Sequence, residues 1–263
     1  MPEQNQLADM KVGINARVFS LDTPAGAAQV GIQHTSNLLD RSIQCELYGH
    51  PNGHQWFSSS VPYKSSFFSW NSQPFGIGWE RTVMPALAAK GDLDILFCPN
   101  ANAPPITAGN HKAVVMIHHV GATHGHSFVQ RVYRKSMIPL GVRNADAVVT
   151  VSKFSKQKIV ERLPISQENV HVVHNGVDEL YFDDSRGSPV DLPDDYILFV
   201  GSSDERKNLQ SLIGAFQQIG TDHELVVVGP SDRAAFGKEG LDRDDISNMG
   251  YLTEDELRYV YDQ

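Results

Sequence analysis

Arg206 and Lys207 lie in the stretch Phe199-Val-Gly-Ser-Ser-Asp-Glu-Arg-Lys-Asn-Leu, where an apolar run ends at Gly201 and a polar turn leads to Asn208, placed to cap a helix. Backbone N–H groups at a helix start bind anions, and an adjacent Arg–Lys pair adds compensating charge and donors. The chain carries 22 Lys and Arg against 31 Asp and Glu, a formal net charge of −9. In that background a basic pair at a strand-to-helix turn suits a diphosphate; the plainer alternative is a solvated turn with surface charges. A second concentration of chemistry is histidine. His118 and His119 close the apolar run AVVMI, and His124 and His126 follow. Imidazoles at this density could ligate zinc, but the spacing is not HExxH, no acidic residue lies within the cluster and no Cys is near. For His118 the better reading is a histidine at the carboxyl end of a strand, lining the crevice where open α/β sheets bind ligands. His124 and His126 read as loop histidines open to water.

Gly26 and Gly31 bracket the start of the first helix after the first strand, the usual place for a glycine turn approaching phosphate. Close helix–strand packing explains them as well. No GxGxxG occurs, and Gly76-Ile-Gly78 lacks a third glycine, so a dinucleotide cofactor is poorly supported. There is no GxSxG elbow and no P-loop, which removes the serine hydrolase and P-loop NTPase classes. Asn175-Gly176 has a hairpin-turn composition, but no alternating strand follows it, and a turn into an interdomain segment fits better.

The elements that must position these residues are legible as short apolar runs alternating with longer amphipathic stretches. Strands are expected at Lys11–Phe19, Gln44–Gly49, Leu93–Cys98, Ala113–His118, Ala147–Val151 and Val170–Val173, then at Tyr196–Val200, Glu224–Val228 and Ile246–Met249. Runs such as ILFC and ELVVV are apolar throughout, the mark of strands buried on both faces of a parallel sheet. Helices are expected at Ala27–Arg41, Glu80–Lys90, Val129–Asn144, Lys153–Arg162, Leu209–Gly220 and Glu254–Asp262. Ser152 is an N-cap candidate, and Thr253 with Glu256 makes a capping box. Residues 51–74 read as a long loop with one short strand. Alternation at this spacing predicts right-handed crossovers and an α/β fold.

Composition bounds the rest. With 41% hydrophobic and 20% charged residues the chain is globular, and its acidic balance excludes a nucleic-acid coat. Its two cysteines, Cys45 and Cys98, make no disulfide framework. The polar start and the lack of any apolar run near ~18 residues point to a reduced, soluble, cytoplasmic protein. The polar stretch 183–195 (DDSRGSPVDLPDD) reads as a linker, dividing residues 1–182 from residues 196–263.

Together these pieces resemble the retaining GT-B glycosyltransferases of family 4. The matching stretches are IHHVGATHGHSFVQRVYRKSMIPLGVRNADAVVTVSKFSKQKIV and VHVVHNGVDELYF, then YILFVGSSDERKNLQSLIGAFQQI, ELVVVG and ISNMGYLTEDELRYVYDQ. They cover roughly residues 112 to 263, and the opening GINARVF is similar more loosely. The resemblance implies two Rossmann-like domains facing across a cleft, acceptor against the N-terminal one and nucleotide sugar against the C-terminal one. It implies that Arg206 and Lys207 hold the donor diphosphate and that His118 faces the transferred sugar. Where the family often has Asp, this chain has His119. Gly26 or Gly31 would match the glycine turn near the sugar phosphate, and Gly229 with Gly250-Tyr251-Leu252 the base and ribose site. No metal or other cofactor is implied, because the basic pair and a helix dipole stabilise the departing nucleoside diphosphate.

The implied function is retaining transfer of a sugar from a nucleotide sugar to a hydroxyl of a glycan or lipid-linked acceptor, with peripheral contact at the inner face of the membrane for the latter. The slight leaning of GINARVF is toward mannosyl transfer. The family's acidic E-x7-E signature and GFGLP-like loop would follow LRYVYDQ, where this chain stops. The expectation is therefore an incomplete C-terminal Rossmann-like domain and negligible transfer by residues 1–263 alone. A second reading is a truncated, non-catalytic relative that binds nucleotide or partners. A third, a zinc hydrolase built on the histidines, requires stoichiometric metal.

Overall fold

The computed structural model describes residues 9–20, 26–65, 73–106, 108–120, 128–182, 187–202, 207–229 and 244–263. It divides into two compact units, the first ending at Asn175 and the second running from Gly176 to Gln263. The division falls at Asn175-Gly176, ahead of the stretch read as a linker. Residues following that stretch's start pack on the second unit: Ser188 Oγ donates to the Asp255 carboxylate at 2.6 Å, and Val190 and Leu192 join an apolar cluster around Val260.

The first unit is a seven-stranded sheet, every pairing parallel. Its strands are β1 (Lys11–Asn15), β2 (Gln44–Tyr48), β3 (Tyr63–Lys64), β4 (Ile95–Cys98), β5 (Lys112–Met116), β6 (Ala147–Thr150) and β7 (Val170–Val172). Helix α1 (Ala27–Asp40) follows β1, α2 (Gln73–Ala89) follows β3, α3 (Phe128–Arg143) follows β5 and α4 (Lys153–Arg162) follows β6. The spatial order is β3-β2-β1-β4-β5-β6-β7. The chain leaves β1 in one direction, then returns to set β4 on its other side, so the topology reverses between β1 and β4.

Alternate residues of each strand feed opposite layers, as the unbroken apolar runs require. Leu96 and Cys98 of β4 join Val115, Trp79 and Met84 of α2, Val142 of α3 and Ile159 of α4. Ile95 and Phe97 join Ile14 and Met116 with Ile32 of α1 on the other face. Ser152 does cap α4, its hydroxyl accepting from the Ser155 N–H at 3.0 Å.

Two stretches depart from the sequence reading. Beyond Asn15 the first apolar run leaves the sheet and turns through Arg17–Ser20, because Phe19 is carried into the core, fully buried. Helix α2 starts at Gln73, well before Glu80, despite Gly76 and Gly78 in its first turns. Gly76 is there for space: a β carbon on it would lie 2.5 Å from Arg17 Nη1.

The second unit holds a parallel sheet in the order β10-β9-β8, with β8 (Tyr196–Val200), β9 (Glu224–Val228) and β10 (Ile246–Gly250). Helix α5 (Leu209–Ile219) packs Leu209, Ile213 and Phe216 on Leu225 and Val227. Helix α6 (Glu254–Asp262) packs Val260 on Val226 and Val228 from the other face. Thr253 and Glu256 form both halves of the capping box. Among the described residues, no helix is long and apolar enough to cross a membrane.

Candidate functional site

A parallel sheet presents its ligand crevice at the carboxyl ends of its strands, at the point where strand order reverses. In the first unit that point is the end of β1 and β4. Asn15, the last residue of β1, is buried, and its Nδ2 donates to Glu80 Oε1 at 2.9 Å and to the Asn102 carbonyl at 3.2 Å. Arg17 Nε pairs with Glu80 Oε2 at 3.0 Å, the Glu80 side chain being 3% exposed. Burial pushes the Glu80 carboxyl up, and the Arg17 charge and the Asn15 amide oppose that shift. This buried frame ties the loop after β1, the loop after β4 and helix α2 together. The sequence reading did not single it out. Its signal was one Glu in the apolar helix QPFGIGWERTVMPALAA, with Asn and Arg directly after a buried strand.

His118 stands just beyond β5, half-buried, beside the same crevice. Its backbone is fixed on both sides: Thr150 Oγ1 donates to the Ile117 carbonyl at 2.7 Å and Ser155 Oγ to the His118 carbonyl at 3.2 Å. Its Nε2 lies 3.2 Å from the Pro99 carbonyl. A carbonyl only accepts, so Nε2 carries the proton and Nδ1 keeps its lone pair. The imidazole can therefore accept from a sugar hydroxyl. Burial lowers the His118 pKa, the Pro99 contact raising it in part. His34 on α1 is lowered as well, by burial and then by His118. His119 is exposed, and His124 and His126 lie outside the described residues. Among the described residues no group of three or more His, Cys, Asp or Glu could hold a metal ion.

Gly26 and Gly31 have different surroundings. Gly26 is the N-cap of α1 at φ 54°, with no side-chain cap and open space where a β carbon would stand. Gly31 is buried within α1, where a β carbon would meet Phe19 and Pro99 at 2.9 Å each. Its small size is used by helix-to-loop packing. Cys45 and Cys98 are buried free thiols, burial pushing the Cys45 pKa up to about 11 and that of Cys98 further. Neither is a nucleophile at neutral pH.

In the second unit three glycines meet at the carboxyl ends of adjacent strands. The Gly201 N–H donates to the Val228 carbonyl at 2.8 Å, and the Gly229 N–H to the Gly250 carbonyl at 2.6 Å. Gly229 (φ 130°) approaches Gly201 so closely that a β carbon on it would clash with the Gly201 carbonyl oxygen. Gly250 also has positive φ, at 65°. The result is a rim of bare backbone. Lys207 is exposed at the edge of this rim, and Arg206 lies outside the described residues. Asn208 sits at the α5 start as expected, but in a left-handed conformation at φ 56°. Its side chain accepts from the Ser211 hydroxyl at 2.8 Å rather than capping a backbone N–H. Tyr251 is exposed, whereas Leu252 packs on the Val226–Val260 cluster.

The comparisons agree with this architecture. O-antigen chain mannosyltransferase RfbU of Salmonella typhimurium is 28% identical over 109 residues, 41% of this chain and 30% of that protein. The N-acetylgalactosamine-N,N'-diacetylbacillosaminyl-diphospho-undecaprenol 4-alpha-N-acetylgalactosaminyltransferase of Campylobacter jejuni is 30% identical over 95 residues, 36% of this chain and 26% of that protein. The matched stretches thus span less than a third of either relative. Among solved structures, Anabaena Alr3699/HepE in complex with UDP and glucose superposes with a TM-score of 0.63 at 17% identity, covering 93% of this chain and 70% of that one. The lipopolysaccharide outer core galactosyltransferase WaaB gives 0.59 at 16%, covering 93% and 69%. These likenesses show the GT-B fold. The family model Glycosyltransferase Family 4 matches residues 24–179, more than half of the chain, and the chain belongs to that family.

Proposed function

We propose that this protein transfers a glycosyl group from a nucleotide sugar to a hydroxyl of a glycan or lipid-linked sugar, with retention at the anomeric carbon. The observation that carries the reading is the bare glycine rim of Gly201, Gly229 and Gly250 with Lys207 beside it. It leaves backbone and a cation, not side-chain bulk, at the ligand end of the second sheet. Arg206 and Lys207 take the donor diphosphate, Gly229 and the Gly250–Leu252 stretch the nucleoside, and His118 the transferred sugar. Gly26 turns the chain near the sugar phosphate; Gly31 supports that turn through its packing on Pro99.

The bond between the anomeric carbon and the diphosphate oxygen breaks, and the nucleoside diphosphate departs with the electron pair. The acceptor oxygen forms the new glycosidic bond on the same face, and its proton passes to the departing phosphate oxygen. Cations aimed at the leaving group supply electrostatic stabilisation without a metal. His118, neutral and with Nδ1 unprotonated, orients the sugar by accepting from a hydroxyl. The diphospho-undecaprenol-linked sugar in the name of the Campylobacter relative supports a lipid-linked acceptor. The cytoplasmic side of a membrane is the place of action proposed for it.

A panel of nucleotide sugars offered with polyprenyl-diphosphate-linked and free glycan acceptors tests the reading. Transfer with the donor's anomeric configuration kept, seen by proton NMR, is the expected result. Binding of nucleoside diphosphate with no transfer to any acceptor would favour the non-catalytic reading, and an inverted product would remove retention.

A further inference from the structure

We propose that Asn175 is a site of spontaneous deamidation, attacked at its side chain by the Gly176 amide nitrogen, at the bond where the two units divide. The sequence holds two Asn-Gly dipeptides, Asn52-Gly53 and Asn175-Gly176. By composition they are equals, since in each the residue after Asn has no β carbon to shield its amide nitrogen. The fold separates them.

Asn52-Gly53 is locked. It lies in the short helical turn Pro51–Trp56, where the Gly53 N–H donates to the His50 carbonyl at 2.9 Å and the Asn52 N–H to His50 Nδ1 at 3.2 Å. Gly53 is buried, and a β carbon on it would stand 3.1 Å from the Ala16 carbonyl oxygen. Before the Gly53 nitrogen can swing over the Asn52 side chain, the turn must open and leave that packing. Asn175-Gly176 has no such restraint. Main-chain pairing with the first sheet ends at Val173, whose N–H donates to the Thr150 carbonyl at 2.8 Å. The last anchor is His174, its Nδ1 3.0 Å from the Val151 carbonyl, and the next is Asp178, whose carboxylate accepts from the Leu180 N–H at 3.0 Å. Between them Asn175, Gly176 and Val177 are exposed, and among the described residues neither Asn175 nor Gly176 has a hydrogen-bond partner. Open space lies where a β carbon on Gly176 would stand. Local rearrangement costs least where backbone is left open in this way.

The Gly176 nitrogen gives up its proton and bonds the side-chain carbonyl carbon of Asn175, closing a succinimide ring. Ammonia departs with that proton and the electron pair of the broken carbon–nitrogen bond. Water then opens the ring at either carbonyl, leaving aspartate or isoaspartate, so that one water enters for each ammonia lost. Both products add a negative charge close to Asp178. In isoaspartate the main chain runs through the former side chain, and the link between the units gains a methylene.

The experiment ages the folded 263-residue chain at mildly alkaline pH, with a parallel sample in urea, and follows the tryptic peptides 163–186 and 42–64. Each conversion adds about one dalton, fragmentation places it at Asn175 or Asn52, and isoaspartyl methyltransferase labelling reports the isoaspartyl product. In the folded chain Asn175 should convert about tenfold or more faster than Asn52, and in urea the two rates should converge. Gly176→Ala puts its methyl group into open space and outside the left-handed region, so the melting curve should not change. It should slow conversion at Asn175 by about tenfold or more through shielding of the nitrogen. Equal rates at the two sites in the folded chain, or an Asn175 that converts only in urea, would overturn the proposal. An undiminished rate in Gly176→Ala would remove the attack by its nitrogen.

Discussion

Asn15, Arg17 and Glu80 show how a buried polar group is tolerated: each is answered by another within hydrogen-bond reach. Removing one partner leaves the other's charge buried and unpaired, which costs about 3–5 kcal/mol, whereas an apolar replacement of both can be nearly neutral. Glu80→Ala should therefore destabilise the first unit by that amount in urea denaturation, and adding Arg17→Met should restore most of it. A loss under about 1 kcal/mol for Glu80→Ala would show that the pair is not a structural frame. The histidines give a pH dependence. His34, His111 and His118 are all lowered from 6.5, burial being the largest cause in each. The unfolded chain then takes up protons first, so stability is full above the unfolded pKa and falls as pH drops through and below it. Thermal melts between neutral pH and pH 5 should show this loss, and His118→Gln should make it shallower. A melting temperature that rises on acidification over this range contradicts the assigned shifts. Of these residues His118 was legible in the sequence, because it closes an apolar run, although β5 itself ends at Met116. Asn15, Arg17 and Glu80 were not, since only the crossover from β3 to β4 brings residues so far apart in the chain together.

At the level of elements the apolar runs carried nearly all the information. ELVVV lies where the sequence puts it, with Leu225 and Val227 facing α5 and Val226 and Val228 facing α6. Caps were equally readable, Ser152 and Thr253 both accepting from the residue three positions on. The failures have local causes. Arg17–Ser20 reads as strand because Val18 and Phe19 are apolar, yet they are buried by a turn. The start of α2 was hidden because two glycines fall in its first turns, of which Gly76 sits against Arg17. Asn208 shows a limit of cap reading: the residue type marks the helix start, while its backbone conformation decides what the side chain can reach. Thr253→Ala should cost about 1 kcal/mol through loss of the α6 cap. Gly229→Ala should cost more, about 1–3 kcal/mol for the positive φ alone, and the clash with Gly201 adds to it. It should also weaken nucleotide binding, which Thr253→Ala should not. If calorimetry shows both variants binding nucleotide alike, the glycine rim is merely structural.

For the molecule as a whole, the two parallel sheets have the same layout: strands covered on both faces, and chemistry-bearing residues confined to the carboxyl ends. The family match lies on the first sheet and its loops, residues 24–179, whereas Lys207 and the glycine rim lie on the second. The central claim is that Arg206 and Lys207 hold the diphosphate of a nucleotide sugar, and it is tested most directly by isothermal titration of the 263-residue chain with nucleoside diphosphates. The account predicts one saturable site, with affinity lost in Arg206→Ala/Lys207→Ala by several kcal/mol at most, each charge-assisted bond contributing about 1.5–3 kcal/mol. Undiminished affinity in the double variant, or no binding of any nucleoside diphosphate by the unaltered chain, would contradict it.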